Sequence, residues 1–101
     1  MTAKEIHEYE RVKAQIAKFL INVRKQMKFQ SPFEAAREAG ISFDTIYRFE
    51  MKKSVPTPRM TTLLCDLYRL NETEREELIA LTNRARELRR MKSKAKKASE
   101  V

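Results

Sequence analysis

Residues 31–50 read SPFEAAREAGISFDTIYRFE and hold Gly40, the one glycine of a 101-residue chain. Without Gly40 the stretch would read as one long amphipathic helix. Two helix patterns meet there instead. Ser31 can cap, Pro32 suits a first helical position, and Glu34 completes Ser-x-x-Glu, a capping box. This helix runs to about Ala39. Gly40 then ends it, because a left-handed backbone carries no Cβ penalty at glycine. Ile41 turns inward, and Ser42 begins the next helix as a simple cap, with Thr45 rather than Glu three residues on. That helix carries Phe43 to about Lys52. Two short helices joined by three residues make a helix-turn-helix.

Helical spacing sorts the side chains of this pair. Ala35, Ala36, Ala39, Ile41, Ile46 and Phe49 are expected in the core, the alanines allowing close approach of the two axes. Phe43, Asp44, Tyr47, Arg48 and Met51 are left outside. Two aromatic residues beside Asp and Arg are unusual on a solvated face. Two readings follow. Phe43 and Tyr47 pack against a neighbouring element, or this face enters the DNA major groove, about 12 Å wide and able to admit one α-helix.

Outward from this centre, residues 3–28 predict a long helix. Ile6, Tyr9, Val12, Ile16, Phe19, Leu20, Val23 and Met27 recur at steps of three and four. After the pair, KKSVPTPRM holds two prolines and reads as a loop. Thr57 can cap a fourth helix starting at Pro58, with Met60, Leu63, Leu64, Leu67 and Tyr68 on its apolar face. Asn71, with Glu74 three residues later, opens a fifth helix carrying Leu78, Leu81, Ala85 and Leu88. That helix is acidic at its start and basic at its end, which complements its dipole. From residue 89 the apolar period is lost, and residues 89–101 read as a mobile basic tail. The order is five helices and a tail, with no strand-like alternation and no repeat.

Composition narrows the function. Lys and Arg total 22 against 14 Asp and Glu, a net charge of +8 and a pI near 9.9. That balance favours an anionic partner, nucleic acid or membrane surface. No apolar run reaches membrane-spanning length, and no helix pairs a basic face with an apolar face exposed for lipid. The charged N-terminus lacks a signal-peptide apolar region, so a cytoplasmic protein is expected. Cys65 is alone, within LLCDLY, and reads as a small core residue. His7 is alone too. No metal and no cofactor is expected. No acid–base cluster accompanies them, so an enzyme is not expected.

The stretch SPFEAAREAGISFDTIYRFE resembles the helix-turn-helix of the Xre/Cro-type repressor family. The resemblance rests on Ser31, Ala36, Gly40, Ser42, Thr45, Ile46 and Glu50, with Ile41 and Phe49 as conservative variants. VPTPRMTTLLCDLYRLNETEREELIALTNRAREL is similar to the fourth and fifth helices of actinobacterial members. Together these cover roughly residues 16–88. The resemblance implies an all-α, compact five-helix, lambda-repressor-like DNA-binding domain over residues 1–88, its helix-turn-helix at 31–52, with long first and last helices and a basic C-terminal tail at 89–101. Pro32 stands where the family has a phosphate-touching Gln, leaving the helix N-terminus to face phosphate. The family often pairs an Arg of the first helix with the Glu ending the recognition helix, here Arg24 with Glu50. MKKS replaces the usual Asn-Gly after the third helix, which extends that helix and sets Lys52, Lys53 and Ser54 against phosphate.

The resemblance also implies base reading by Ser42, Phe43, Asp44, Thr45, Tyr47 and Arg48. Arg48 can donate two bonds to guanine O6 and N7; Asp44 can accept from cytosine N4 or orient Arg48 one turn away. Phe43 can offer apolar contact to a thymine methyl, and Tyr47 can contact a base or a phosphate. Ser31, Lys52, Lys53, Ser54, Thr57 and Arg59 are the candidates for phosphate, which positions without specifying. The expected function is a sequence-specific double-stranded DNA-binding transcriptional regulator, a dimeric repressor of phage, mobile-element or autoregulatory type on an inverted-repeat operator. A short chain with no second domain for a signal points the same way. The homodimer surface is expected around Ile6, Tyr9 and Val12 or around Leu78, Leu81 and Leu88; both stripes could instead complete the monomer core. The eight basic residues Arg84, Arg86, Arg89, Arg90, Lys92, Lys94, Lys96 and Lys97 against Glu87 and Glu100 give the tail and its approach +6, either for flanking DNA or for solubility. The alternative is a protein-interaction module or antitoxin-like partner built on the same helices.

Overall fold

The computed structural model describes the backbone of residues 2–99 and the side chains of residues 2–91. The helices are α1 (Ala3–Gln26), α2 (Pro32–Ala39), α3 (Phe43–Glu50), α4 (Pro58–Leu67) and α5 (Glu72–Ser99), with no strand among the described residues. No helix there is long and apolar enough to cross a membrane.

Four of the five helix starts use a side-chain oxygen to accept an orphan backbone N–H. Thr2 and Glu5 form a reciprocal box at α1, which sequence reading missed. Asn71 Oδ1 accepts from Glu74 N at 2.8 Å, and Glu74 Oε1 accepts from Asn71 N at 3.0 Å. Thr57 Oγ1 accepts from Met60 N at 3.1 Å. Two expectations are corrected. At α2, Ser31 Oγ accepts from Glu34 N, but Glu34 Oε2 accepts from Gln30 N at 2.8 Å rather than from Ser31, so the box is displaced by one residue. At α3, Ser42 makes no side-chain cap; its carbonyl accepts from Thr45 N at 3.1 Å, a tight backbone turn that leaves the hydroxyl free.

The first four helices all end through a left-handed residue: Lys28 (φ 64°), Gly40 (φ 69°), Lys52 (φ 62°) and Arg69 (φ 50°). The next N–H returns in each case to a carbonyl five residues back, as Ile41 N to Ala36 O at 3.0 Å and Lys53 N to Arg48 O at 2.9 Å. One glycine therefore serves only one of four such corners. This overturns the expectation that α3 reaches Lys52: it stops at Glu50, because Lys52 takes the left-handed position itself. A Cβ at Gly40 would meet nothing within 4 Å, so backbone strain is the only penalty there. Gly40→Ala should lower folding stability by about 1–2 kcal/mol. Lys52→Gly should raise it by about 0.5–1 kcal/mol, since the strain is removed where a cap glycine is favoured. Urea midpoints compared at constant m-value measure both.

The core gathers Val12, Ile16, Leu20, Val23, Ala35, Ala36, Ile46, Phe49, Leu64, Cys65, Tyr68, Leu70, Leu78, Ala85 and Leu88. α1 lies along α5 and against α3, α2 packs on α3 and α4, and α4 packs on α5. Ala39 and Ile41, expected inside, are half-buried. Leu78 and Leu88 are fully buried and Val12 nearly so. These three complete the monomer core, because the long helices turn their apolar stripes toward each other, whereas Ile6 stays 49% exposed and Tyr9 and Leu81 are half-buried. Glu8 and Arg84 clip that packing at 2.8 Å, and the guanidinium holds the Glu8 carboxyl below its ordinary pKa.

The expected end of the fifth helix near Leu88 is also corrected. α5 continues through residues 89–99, which are rich in Arg, Lys and Ala and lack Gly and Pro. Loss of apolar period removed the signal for a buried face, whereas intrinsic propensity sustains the helix. The side chains of Lys92, Lys94, Lys96 and Lys97, and all of Glu100, lie outside the described residues.

Candidate nucleic-acid interface

The outward face of α3 is held by what happens at its inner end. Arg24, near the end of α1, donates from Nε to Glu50 Oε2 at 2.8 Å. It also donates from NH1 to the Phe29 carbonyl at 2.9 Å. Both charged residues are buried. One guanidinium thus ties the last residue of α3 to α1 and to the strap leading into α2. Tyr68 packs beside the strap, its ring 6.3 Å from that of Phe29. Burial, and secondarily the Glu50 charge, pushes its phenol well above the ordinary value. With Ile46 and Phe49 pointing inward, rotation of α3 about its axis is restricted.

The structure places the candidate base-reading residues on the opposite side. Ser42, Phe43, Asp44 and Arg48 are exposed, while Thr45 and Tyr47 are half-buried. Arg48 Nε lies 3.5 Å from Asp44 Oδ2, one helical turn away. Both side chains remain more than half exposed, so this pair orients Arg48 and adds little stability. Phe43 stays 43% exposed although its ring lies 5.4 Å from that of Tyr47 and 6.1 Å from that of Phe33. The expectation that Phe43 and Tyr47 either pack on a neighbour or stay outside thus divides: Phe43 lies beside Phe33 of α2 and stays exposed, while Tyr47 lies beside Phe43 and is half-buried.

The residues singled out for phosphate fall into two groups. Lys52, Lys53, Thr57 and Arg59 are exposed on the connection after α3 and the first turn of α4. Lys53 Nζ lies 5.7 Å from the Tyr47 ring centroid, joining this group to the α3 face. Ser31 and Ser54 are half-buried, and Ser31 is engaged as the α2 cap.

Sequence reading missed two contributors and gave a third, Arg86, only as part of the basic approach to the tail. Phe33, 54% exposed, adds a ring at the start of α2, and Arg37 one turn later lies over that ring at 5.6 Å. Their shared spacing, away from Ala35, Ala36 and Ala39, was the available signal. The third is Arg86. It donates from NH1 to the Pro56 carbonyl at 2.7 Å and also bonds Asn83 Oδ1. Burial and the charge of Arg90 push its pKa below the ordinary value. α5 is thereby docked on the connection that carries Lys52, Lys53 and Thr57, and Arg86, Arg89 and Arg90 line one hollow with Pro58. The basic run of α5 begins beside the α3–α4 connection, a placement that no local pattern reveals.

No family model, curated protein or solved structure matches the chain.

Proposed function

We propose that the protein is a sequence-specific double-stranded DNA-binding regulator of transcription that reads the major groove with α3 as the second helix of a helix-turn-helix. The observation that carries this reading is the anchored helix itself. Its inner end is tied to α1 by the buried Arg24–Glu50 pair, and its outer face presents Arg48, oriented by Asp44, with Phe43 and Tyr47. The exposed Lys52, Lys53 and Arg59 next to it supply the positive charge that a phosphate backbone requires. Arg89 and Arg90 extend that charge along α5. One such helix covers only a few base pairs, so a homodimer on an inverted repeat, acting by occluding a promoter, is the form proposed.

Selection from a random duplex library, followed by sequencing, tests the reading. The expected product is an enriched inverted repeat with half-sites about 10 bp apart. A pool without enrichment, together with no salt-dependent binding to any duplex, would overturn it.

One observation favours a second reading. Phe33 and Phe43 are large apolar residues exposed side by side, and contiguous exposed apolar residues commonly mark protein contacts. On that reading the same face holds a protein partner, such as a transcription factor or a toxin. Tight partner binding without salt-dependent DNA binding would distinguish it.

A further inference from the structure

We infer that Phe33 of α2 is a specificity residue alongside α3, and that Phe33, Phe43 and Tyr47 together select the C5-methyl groups of thymines on the major-groove edge. The inference rests on the DNA-binding reading above and adds to it the kind of sequence that is read and a residue outside α3 that reads it.

The argument begins with what the three rings cannot do. The major groove presents donors and acceptors on every base pair, and its one apolar feature is the thymine methyl. Phe33 and Phe43 have no hydrogen-bonding group, and Tyr47 has a single hydroxyl. Pressed against guanine, adenine or cytosine edges, two of these rings would strip water from polar atoms and return no hydrogen bond. Pressed against thymine methyls, they bury apolar surface on both sides.

The spacing fits more than one base. Centroids stand 6.1 Å apart from Phe33 to Phe43 and 5.4 Å apart from Phe43 to Tyr47. Successive bases on one strand rise about 3.4 Å, so each neighbouring pair of rings stands about one to two base steps apart. The rings already lie against one another, so contact costs little further side-chain freedom.

Charge favours this occupant. Arg37 caps one end of the ladder over Phe33, and Lys53 caps the other beside Tyr47. Arg48 stands on the same helix as the middle ring. An apolar strip closed at both ends by cations complements a groove floor of methyl groups walled by two phosphate backbones.

The test compares duplexes carrying the selected site with identical duplexes in which deoxyuridine replaces thymidine, so that only the methyl groups differ. The wild-type protein should lose affinity by about fourfold for each methyl it buries, the effect of one buried methylene. Phe33→Ala should bind the thymidine duplex more weakly and lose part of that sensitivity, and Phe33→Leu should retain it. Phe33 is more than half exposed, so neither change threatens the core, and thermal melts of the free proteins verify that. Sequence-selective binding that ignores the deoxyuridine exchange, or an equal sensitivity in Phe33→Ala and the wild type, would overturn the inference and leave DNA reading in place. Absence of any enriched sequence would overturn both, with the aromatic strip then assigned to a protein partner.

Discussion

Glu50→Ala is expected to lower folding stability by about 3–5 kcal/mol, the usual cost of leaving one charge of a buried pair without its partner. Arg24 would stay buried without a counter-charge, because it sits among α1, α3 and the strap, bonded to the Phe29 carbonyl. A domain of this size commonly has only about 5–15 kcal/mol in total, so the variant should be partly unfolded at modest urea. The midpoint should fall while the m-value stays unchanged. Arg24→Met combined with Glu50→Leu should recover most of the loss, since a buried pair replaced by apolar residues of similar volume is often neutral. A loss below about 1 kcal/mol in the single variant would mean that the pair is hydrated and does not restrain α3. The double variant separates stability from function: a well-folded protein that has lost sequence preference would show that the pair sets the angle of the reading helix.

The second large effect is on DNA. Arg48→Ala should lower affinity for the selected site by about 1–3 kcal/mol and relax the base preference at one position, while non-specific binding changes little. Lys53→Ala should weaken binding to all sequences alike and reduce the salt slope by about 1. The contrast follows from position. Arg48 stands on the outer face of α3, more than half exposed and oriented by Asp44, whereas Lys53 lies past the end of the helix on the α3–α4 connection. Titrations of both variants at several salt concentrations decide the matter. If both changes act equally on every sequence, Arg48 contacts phosphate and reads no base.

Much of the molecule was legible because its signals are local. Each of the five helices begins where periodicity or a capping residue puts it, and Gly40 ends α2 as its neighbours imply. The misreadings also share a cause. Lys52 was placed inside α3 because a lysine gives no sign of a left-handed backbone, and Lys28 and Arg69 hide the same geometry. Residues 89–99 looked like a tail because their sequence carries no apolar period, the local signal by which a helix is read. Leu78 and Leu88 could be assigned to a core or to a dimer with equal justice, since an apolar stripe does not name what covers it. Phe43, Asp44, Arg48 and Met51 face outward as their spacing implies, while Tyr47 is half-buried; Phe33 was overlooked, because its partner Phe43 lies on another helix.

By itself the sequence determined the five helices, the corner at Gly40, the positive charge and the set of side chains that α3 turns away from its core. Those depend on spacing along the chain, capping chemistry and the φ preference of one residue. Only the tertiary structure decided that Arg24, which the resemblance pairs with Glu50, also ties the Phe29 carbonyl, that Arg86 docks α5 on the α3–α4 connection, and that Phe33 joins Phe43 and Tyr47 in one ladder. Each of these joins residues on different elements. Their meeting depends on how α1, α2 and α5 stack around α3, which no window along the chain contains.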